Sequence, residues 1–195
     1  MKTTILLLFL AITSCNKDSV KQDPIAQLPP ETQTGANTFG VTINGKVYIP
    51  RDPTGVNVGP SGHGMVLHGA SDFSWYEIEV VDGASAVGFQ IYIHLQPLVS
   101  VGNITLKQSN FQNQLDSSSL THIYFKIWDN NISNYAYYGS IMDFGEINIT
   151  RLDSGVLSGN FKGKFVRYDN PNQFINIEDG RFDLNGFTLP NTKFP

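Results

Sequence analysis

Asn44-Gly45, set between the segments FGVTI (Phe39 to Ile43) and KVYIP (Lys46 to Pro50), dictates a two-residue hairpin. Both central positions of a type I′ turn need positive φ, which asparagine and glycine adopt at least cost. Such a turn fixes register: Ile43 faces Lys46 and Val41 faces Tyr48. Phe39, Val41, Ile43 and Tyr48 then share one face, the expected core face, and Thr42, Val47 and Ile49 line the other.

The same two-residue period recurs down the chain. Tyr76, Ile78 and Val80 alternate with Trp75, Glu77 and Glu79, and Phe89, Ile91, Ile93 and Leu95 alternate with Gln90, Tyr92 and His94. Ile123, Phe125 and Ile127 alternate with His122, Tyr124, Lys126 and Trp128, and Ile147, Ile149, Phe161 and Phe165 continue the pattern. Turn signals fall at Asp82-Gly83, at Asp153-Ser154-Gly155 and at Asp179-Gly180. The last is expected to close a hairpin opposing Glu178 to Arg181 and Ile177 to Phe182. Strands joined by such tight turns are antiparallel, and no segment has the helical period that parallel crossovers need. The expected fold is all-β: an antiparallel sandwich or a partly closed barrel of about eight to ten strands, with both left open.

The N-terminus states where this domain is carried. Lys2 and the apolar run Ile5 to Ile12 form a secretory signal too short to span a bilayer. Cys15 is the only cysteine of the chain, so no disulfide framework exists. Ile12-Thr13-Ser14-Cys15 resembles the bacterial lipobox, which implies cleavage before Cys15 and its acylation. About 0.8 kcal/mol per buried methylene makes two or three acyl chains a stable anchor. Asn16 rather than aspartate after the cysteine points to the outer membrane, with the periplasmic face and the cell surface both open. The expected organisation is a signal over 1–14, a lipidated Cys15 with a polar, proline-bearing flexible tether over 15–37, and one β-rich domain over 38–195.

The formal charge of −4, or −5 once Lys2 leaves with the signal, argues against nucleic acid and anionic headgroups as partners held by bulk charge. The tether ending in PPETQTGANTFG (Pro29 to Gly40), the NGK at Asn44 to Lys46 and the IEDGRFD at Ile177 to Asp183, with the lipobox upstream, resemble a family of Bacteroidota lipoproteins known as a domain of unknown function. The resemblance implies a lipid-anchored β-rich domain and brings no catalytic residues.

Candidate chemistry lies on the face opposite the core. Trp75, Tyr92, His94, Tyr124 and Trp128 stand there among Glu77, Glu79, Gln90 and Lys126, and flat rings beside polar side chains suit a pyranose, with its apolar C–H faces and its hydroxyls. Packing alone also favours aromatic residues on strands. Glu77 and Glu79, two apart on one strand, read as solvated acids rather than a glycosidase pair, since neighbours on one strand cannot straddle a glycosidic bond. Of His63, His68, His94 and His122, the first two, five apart, lack the short-spaced carboxylate partners of zinc sites, so the four read as structural or surface histidines, and the Asp129 and Asp169 turns lack EF-hand spacing. No metal or cofactor is expected. The reading is a non-enzymatic outer-membrane binding or envelope-assembly lipoprotein whose partner is a glycan or an envelope protein; the alternatives are a glycan-binding module of a polysaccharide-capture system and a polysaccharide hydrolase.

Overall fold

The computed structural model describes residues 27–54, 62–69, 74–97, 100–117 and 119–195. The signal, Cys15 and the tether up to residue 26 lie outside them. Ten strands form one antiparallel sheet curled into a half-barrel, so the fold is the partly closed barrel of the two expected forms. The strands are β1 (Thr38–Ile43), β2 (Lys46–Tyr48), β3 (Met65–Gly69), β4 (Tyr76–Val81), β5 (Gln90–Leu95), β6 (Gly102–Thr105), β7 (His122–Asp129), β8 (Asn134–Asp153), β9 (Val156–Arg167) and β10 (Asn170–Asn185). Their order is β2-β1-β10-β9-β8-β7-β5-β4-β3, with β6 added beside β8.

The first hairpin has the register its turn demands. Val41 pairs with Tyr48 and Ile43 with Lys46, across Asn44 at φ 51° and Gly45 at φ 73°. Ser154 (φ 49°) and Gly155 (φ 80°) turn β8 into β9 by the same device. Asp82 and Gly83 open a longer loop, yet Val80 pairs with Ile91 and Ile78 with Ile93, so the two apolar sets stay on one face. That concave face is the core: Phe39, Ile78, Ile91, Ile93, Phe125, Phe161 and Phe165 are all buried. One end of the barrel is drawn together by Arg51, whose N–H donates to the carbonyl of Val81 at 3.0 Å while its own carbonyl accepts from Gly83 at 2.9 Å.

Two expectations fail for identifiable reasons. Asp179-Gly180 closes no hairpin: neither residue has positive φ, and β10 continues along β9 with a register slip between Ile177 and Gly180. Gly180 lies flat on the Phe161 ring, where a Cβ would come within 2.3 Å of Cζ. The dipeptide is a bulge whose glycine permits close approach.

Residues 28–37, assigned by composition to the tether, are bound to the sheet as a strap. The buried Asp183 carboxylate on β10 accepts from Thr32 Oγ1 (2.6 Å), from the amides of Thr34 (3.0 Å), Gly35 (2.8 Å) and Ala36 (3.1 Å), and from Ser158 Oγ (2.6 Å). Polarity that reads as solvation from the sequence here serves one buried charge. Burial works against that charge, but the bonds from Ser158, Thr32 and the strap amides outweigh it and hold the carboxyl at about 2.

The feature that positions the site is a change of partner along β8. Its first part, Asn134 to Gly139, pairs with β7, whereas Glu146 to Ile149 pair with β6. Between them the register slips, with Asp143 at φ 63°. Leu106 fits into this bulge, its N–H donating to Gly145 and its carbonyl accepting from Asp143, both at 2.9 Å. From there residues 107–117 cross the convex face over β7, β5 and β4 as a cover. Gly139 lets the cover lie close: a Cβ there would approach Phe111 Cζ to 2.6 Å.

Candidate functional site

The cover divides the convex face into a sealed part and an open part. Under it, Glu77, His94 and His122 face one another in direct register across β4, β5 and β7 and are at most 1 % exposed. Glu77 is therefore no solvated acid. Its Oε2 accepts the Gln114 amide at 2.9 Å and lies 3.2 Å from His94 Nδ1. A carboxylate only accepts, so Nδ1 carries the proton. His94 Nε2 meets the Gln96 side-chain amide at 3.2 Å.

His122 is held between two hydroxyls of the cover, Ser109 Oγ at 3.0 Å from Nδ1 and Ser117 Oγ at 2.6 Å from Nε2. A serine at that distance from an imidazole is the start of a nucleophile and base pair. Burial, with the nearby His94 adding to it, pushes His122 down to about 4, so the ring is neutral and a weak base near pH 7. A hydroxyl, where acyl transfer uses a carboxylate, takes the other nitrogen. The pair ties down the cover.

The five aromatic candidates are not one surface. Trp75 stacks on His94 with ring centroids 5.6 Å apart, Tyr92 on Tyr124 at 4.7 Å, and Trp128 meets Tyr135 edge-on at 5.5 Å. His94 and Tyr124 lie beneath the cover, with Phe111 against Tyr124 at 6.2 Å, and are removed from direct ligand contact. Tyr92 remains at the edge of an open groove, and Trp128 stands behind it, supporting Tyr135.

That groove has a volume of about 610 Å³ and is lined by Glu79, Gln90, Tyr92, Lys126 and Tyr135, with Asn113 of the cover as one wall. Sequence reasoning named Tyr92 and its polar neighbours but missed Tyr135 and Asn113. Tyr135 was within reach, because a four-residue turn after Asp129 places it opposite Trp128. Nothing local announces Asn113, which arrives with the cover.

The polar groups are ordered. Glu79 accepts from Gln90 Nε2 at 2.8 Å and from Tyr92 at 3.3 Å, and lies 3.0 Å from His68 Nε2. Burial opposes the charge on Glu79, but the bonds from His68 and Gln90 hold its pKa below the ordinary value. The same bond to Glu79 raises His68. Burial, then the charge of Glu79, raises Tyr92, which stays a neutral phenol.

Two other polar cavities suit a sugar less well. One of about 140 Å³ lies between the strap and β10 and is lined by Asp183 and Arg181, which hold the strap. A cleft of about 370 Å³ presents Asn103, Asn148 and Asn160 with Glu146 and Glu178, and its one ring, Phe161, is buried. The Asp129 and Asp169 turns are joined by Arg167, which donates to Asp129 Oδ2 at 2.8 Å and to Asp169 Oδ1 at 2.6 Å. Among the described residues no three His, Cys, Asp or Glu side chains are placed to hold a metal ion, and no helix is long and apolar enough to cross a membrane.

No protein-family model, no curated protein and no solved structure matches this chain.

Proposed function

We propose that this chain is a non-enzymatic binding lipoprotein, held at the outer membrane by acylated Cys15, whose convex groove takes a glycan. The observation that carries the reading is the lining of the groove. Two accessible rings, Tyr92 and Tyr135, stand beside an acceptor, Glu79, and the side-chain amides of Gln90 and Asn113. A volume of about 610 Å³ falls within the roughly 300–1,000 Å³ of ligand sites. A hydrolase needs two carboxyl groups free to face one bond; here Glu77 is sealed under the cover, and the two acids that line the groove are engaged, Glu79 by His68 and Gln90 and Asp82 by a bidentate pair with Arg51. Membrane attachment rests on the lipobox resemblance and on the signal preceding it.

The test is a glycan-array screen of the full-length protein in detergent, with fractionation of cells carrying Cys15→Ser. Specific glycan binding, and release of the variant from washed membranes, are the expected results. A blank array removes the glycan reading and leaves envelope proteins as the partner class; a variant that stays in the membrane removes the anchor.

A further inference from the structure

Charge pairing around the groove goes further than the presence of rings and amides. Of its ionic lining groups two are acidic, Glu79 and Asp82, and one is basic, Lys126. Each acid has its own partner. Asp82 takes a bidentate pair from Arg51, with Nε to Oδ1 at 2.7 Å and Nη2 to Oδ2 at 2.6 Å. Glu79 has His68 at 3.0 Å and the Gln90 amide at 2.8 Å.

Lys126 has no such partner among the described residues. Its ammonium lies 5.1 Å from the centroid of the Tyr135 ring, and no carboxylate of the described residues is within ion-pair distance of it. Gln90 pairs with Lys126 across β5 and β7, which places the two side chains roughly 5 Å apart at Cβ. Since a carboxylate only accepts, Gln90 must turn Nε2 toward Glu79, leaving its carbonyl oxygen as an acceptor.

The groove thus offers a ring face, acceptors for hydroxyls and one uncommitted cation beside that ring. Resting on the glycan reading above, we propose that the ligand is an acidic sugar whose carboxylate or sulfate group meets Lys126 while its ring packs on Tyr135. The hydroxyls then fall to Glu79, Gln90 and Asn113, so the site orients the sugar as well as holding it. The chain is acidic overall, so the preference comes from this local contact and not from long-range attraction. It weakens as salt screens the half-exposed pair.

The experiment measures affinity of the full-length protein in detergent for matched pairs of oligosaccharides. Galacturonate, glucuronate and mannuronate oligomers are each compared with their methyl esters, and sulfated galactans with their desulfated forms. The expected result is an acid form that binds at least about tenfold tighter than its neutral partner. Lys126→Gln brings that ratio close to one and Lys126→Arg restores it, while thermal unfolding reports whether each variant is folded. The family of pairs that responds identifies the acid as carboxylate or sulfate. Neutral forms binding as well as acid forms, with the ratio unmoved in Lys126→Gln, overturns the acidic preference and leaves the groove reading standing. No binding of either form overturns both.

Discussion

The backbone amide of Gln114 donates at 2.9 Å to Oε2 of Glu77, so a cover with little regular structure is pinned to a fully buried strand carboxylate. Phe111 and Gln114 themselves sit at φ 60° and 49°. Non-glycine residues in that region persist only where their surroundings over-determine them. Glu77 and His122 supply those surroundings.

Glu77→Ala leaves the Gln114 amide and His94 Nδ1 without their acceptor. Unmade buried bonds of this kind cost about 3 kcal/mol, and for a domain of this size each kcal/mol lowers Tm by about 2–4 °C. Thermal unfolding is expected to move down by roughly 6–12 °C, and hydrogen exchange at the Gln114 amide to accelerate. Unchanged exchange at Gln114 would show that the cover is held by other contacts.

Asp183→Ala should free the strap. Five hydrogen bonds from four strap residues, and one from Ser158, converge on this carboxylate, so the variant is expected to lose about 3 kcal/mol and to be cut by protease between residues 28 and 37. With a folded value of about 2 against an ordinary 3.8, Asp183 contributes stability that is complete above pH 3.8 and lost as pH falls toward 2. Wild type and variant should therefore converge in stability across that window. A strap equally protease-resistant in both proteins would contradict the assignment.

His122 gives a second pH window at higher pH. Its folded value of about 4 lies below the ordinary 6.5, so the unfolded chain takes the proton first. The neutral ring contributes fully above pH 6.5, and the contribution falls as pH drops to about 4, by up to about 3 kcal/mol. The groups facing it are His94, Ser109 and Ser117, with Glu77 beyond His94. His68, raised by Glu79, acts in the opposite sense and is unchanged in a His122→Gln variant. Urea unfolding from about pH 7.5 to 4 should show a smaller acid loss in His122→Gln than in wild type; equal losses would place the titration elsewhere.

Local features carried most of the fold. Asn44-Gly45 set the β1 and β2 register through backbone φ alone, and parity kept Ile78 and Val80 with Ile91 and Ile93 whatever the length of the loop between them. Asp179-Gly180 misled because the dipeptide that makes a turn also makes a bulge, and packing against Phe161 decides between them. The site was half legible: alternation put Tyr92, Gln90, Glu79 and Lys126 on one face. Which part of that face stays open depends on residues 107–117, and the path of that cover follows from the β8 bulge rather than from its own sequence. Glu77 thus reads from sequence as a solvated acid, and His94 and Tyr124 as candidates for ligand contact, whereas all three are sealed.

The central claim is that ligand meets the groove beside Tyr135 and not the whole aromatic face. Affinities of the full-length protein for its best array glycan, compared between Tyr135→Ala and Trp75→Ala, test it most directly. Stacking of a ring on a tyrosine contributes about 1 kcal/mol or more, and the Lys126 ammonium lies 5.1 Å from the Tyr135 ring centroid. Tyr135→Ala is expected to weaken binding about tenfold or more, and Trp75→Ala, which loses a ring stacked on His94 outside the groove, to leave it unchanged. Loss of binding in Trp75→Ala with Tyr135→Ala unaffected would contradict the groove and move the site to the other end of the convex face.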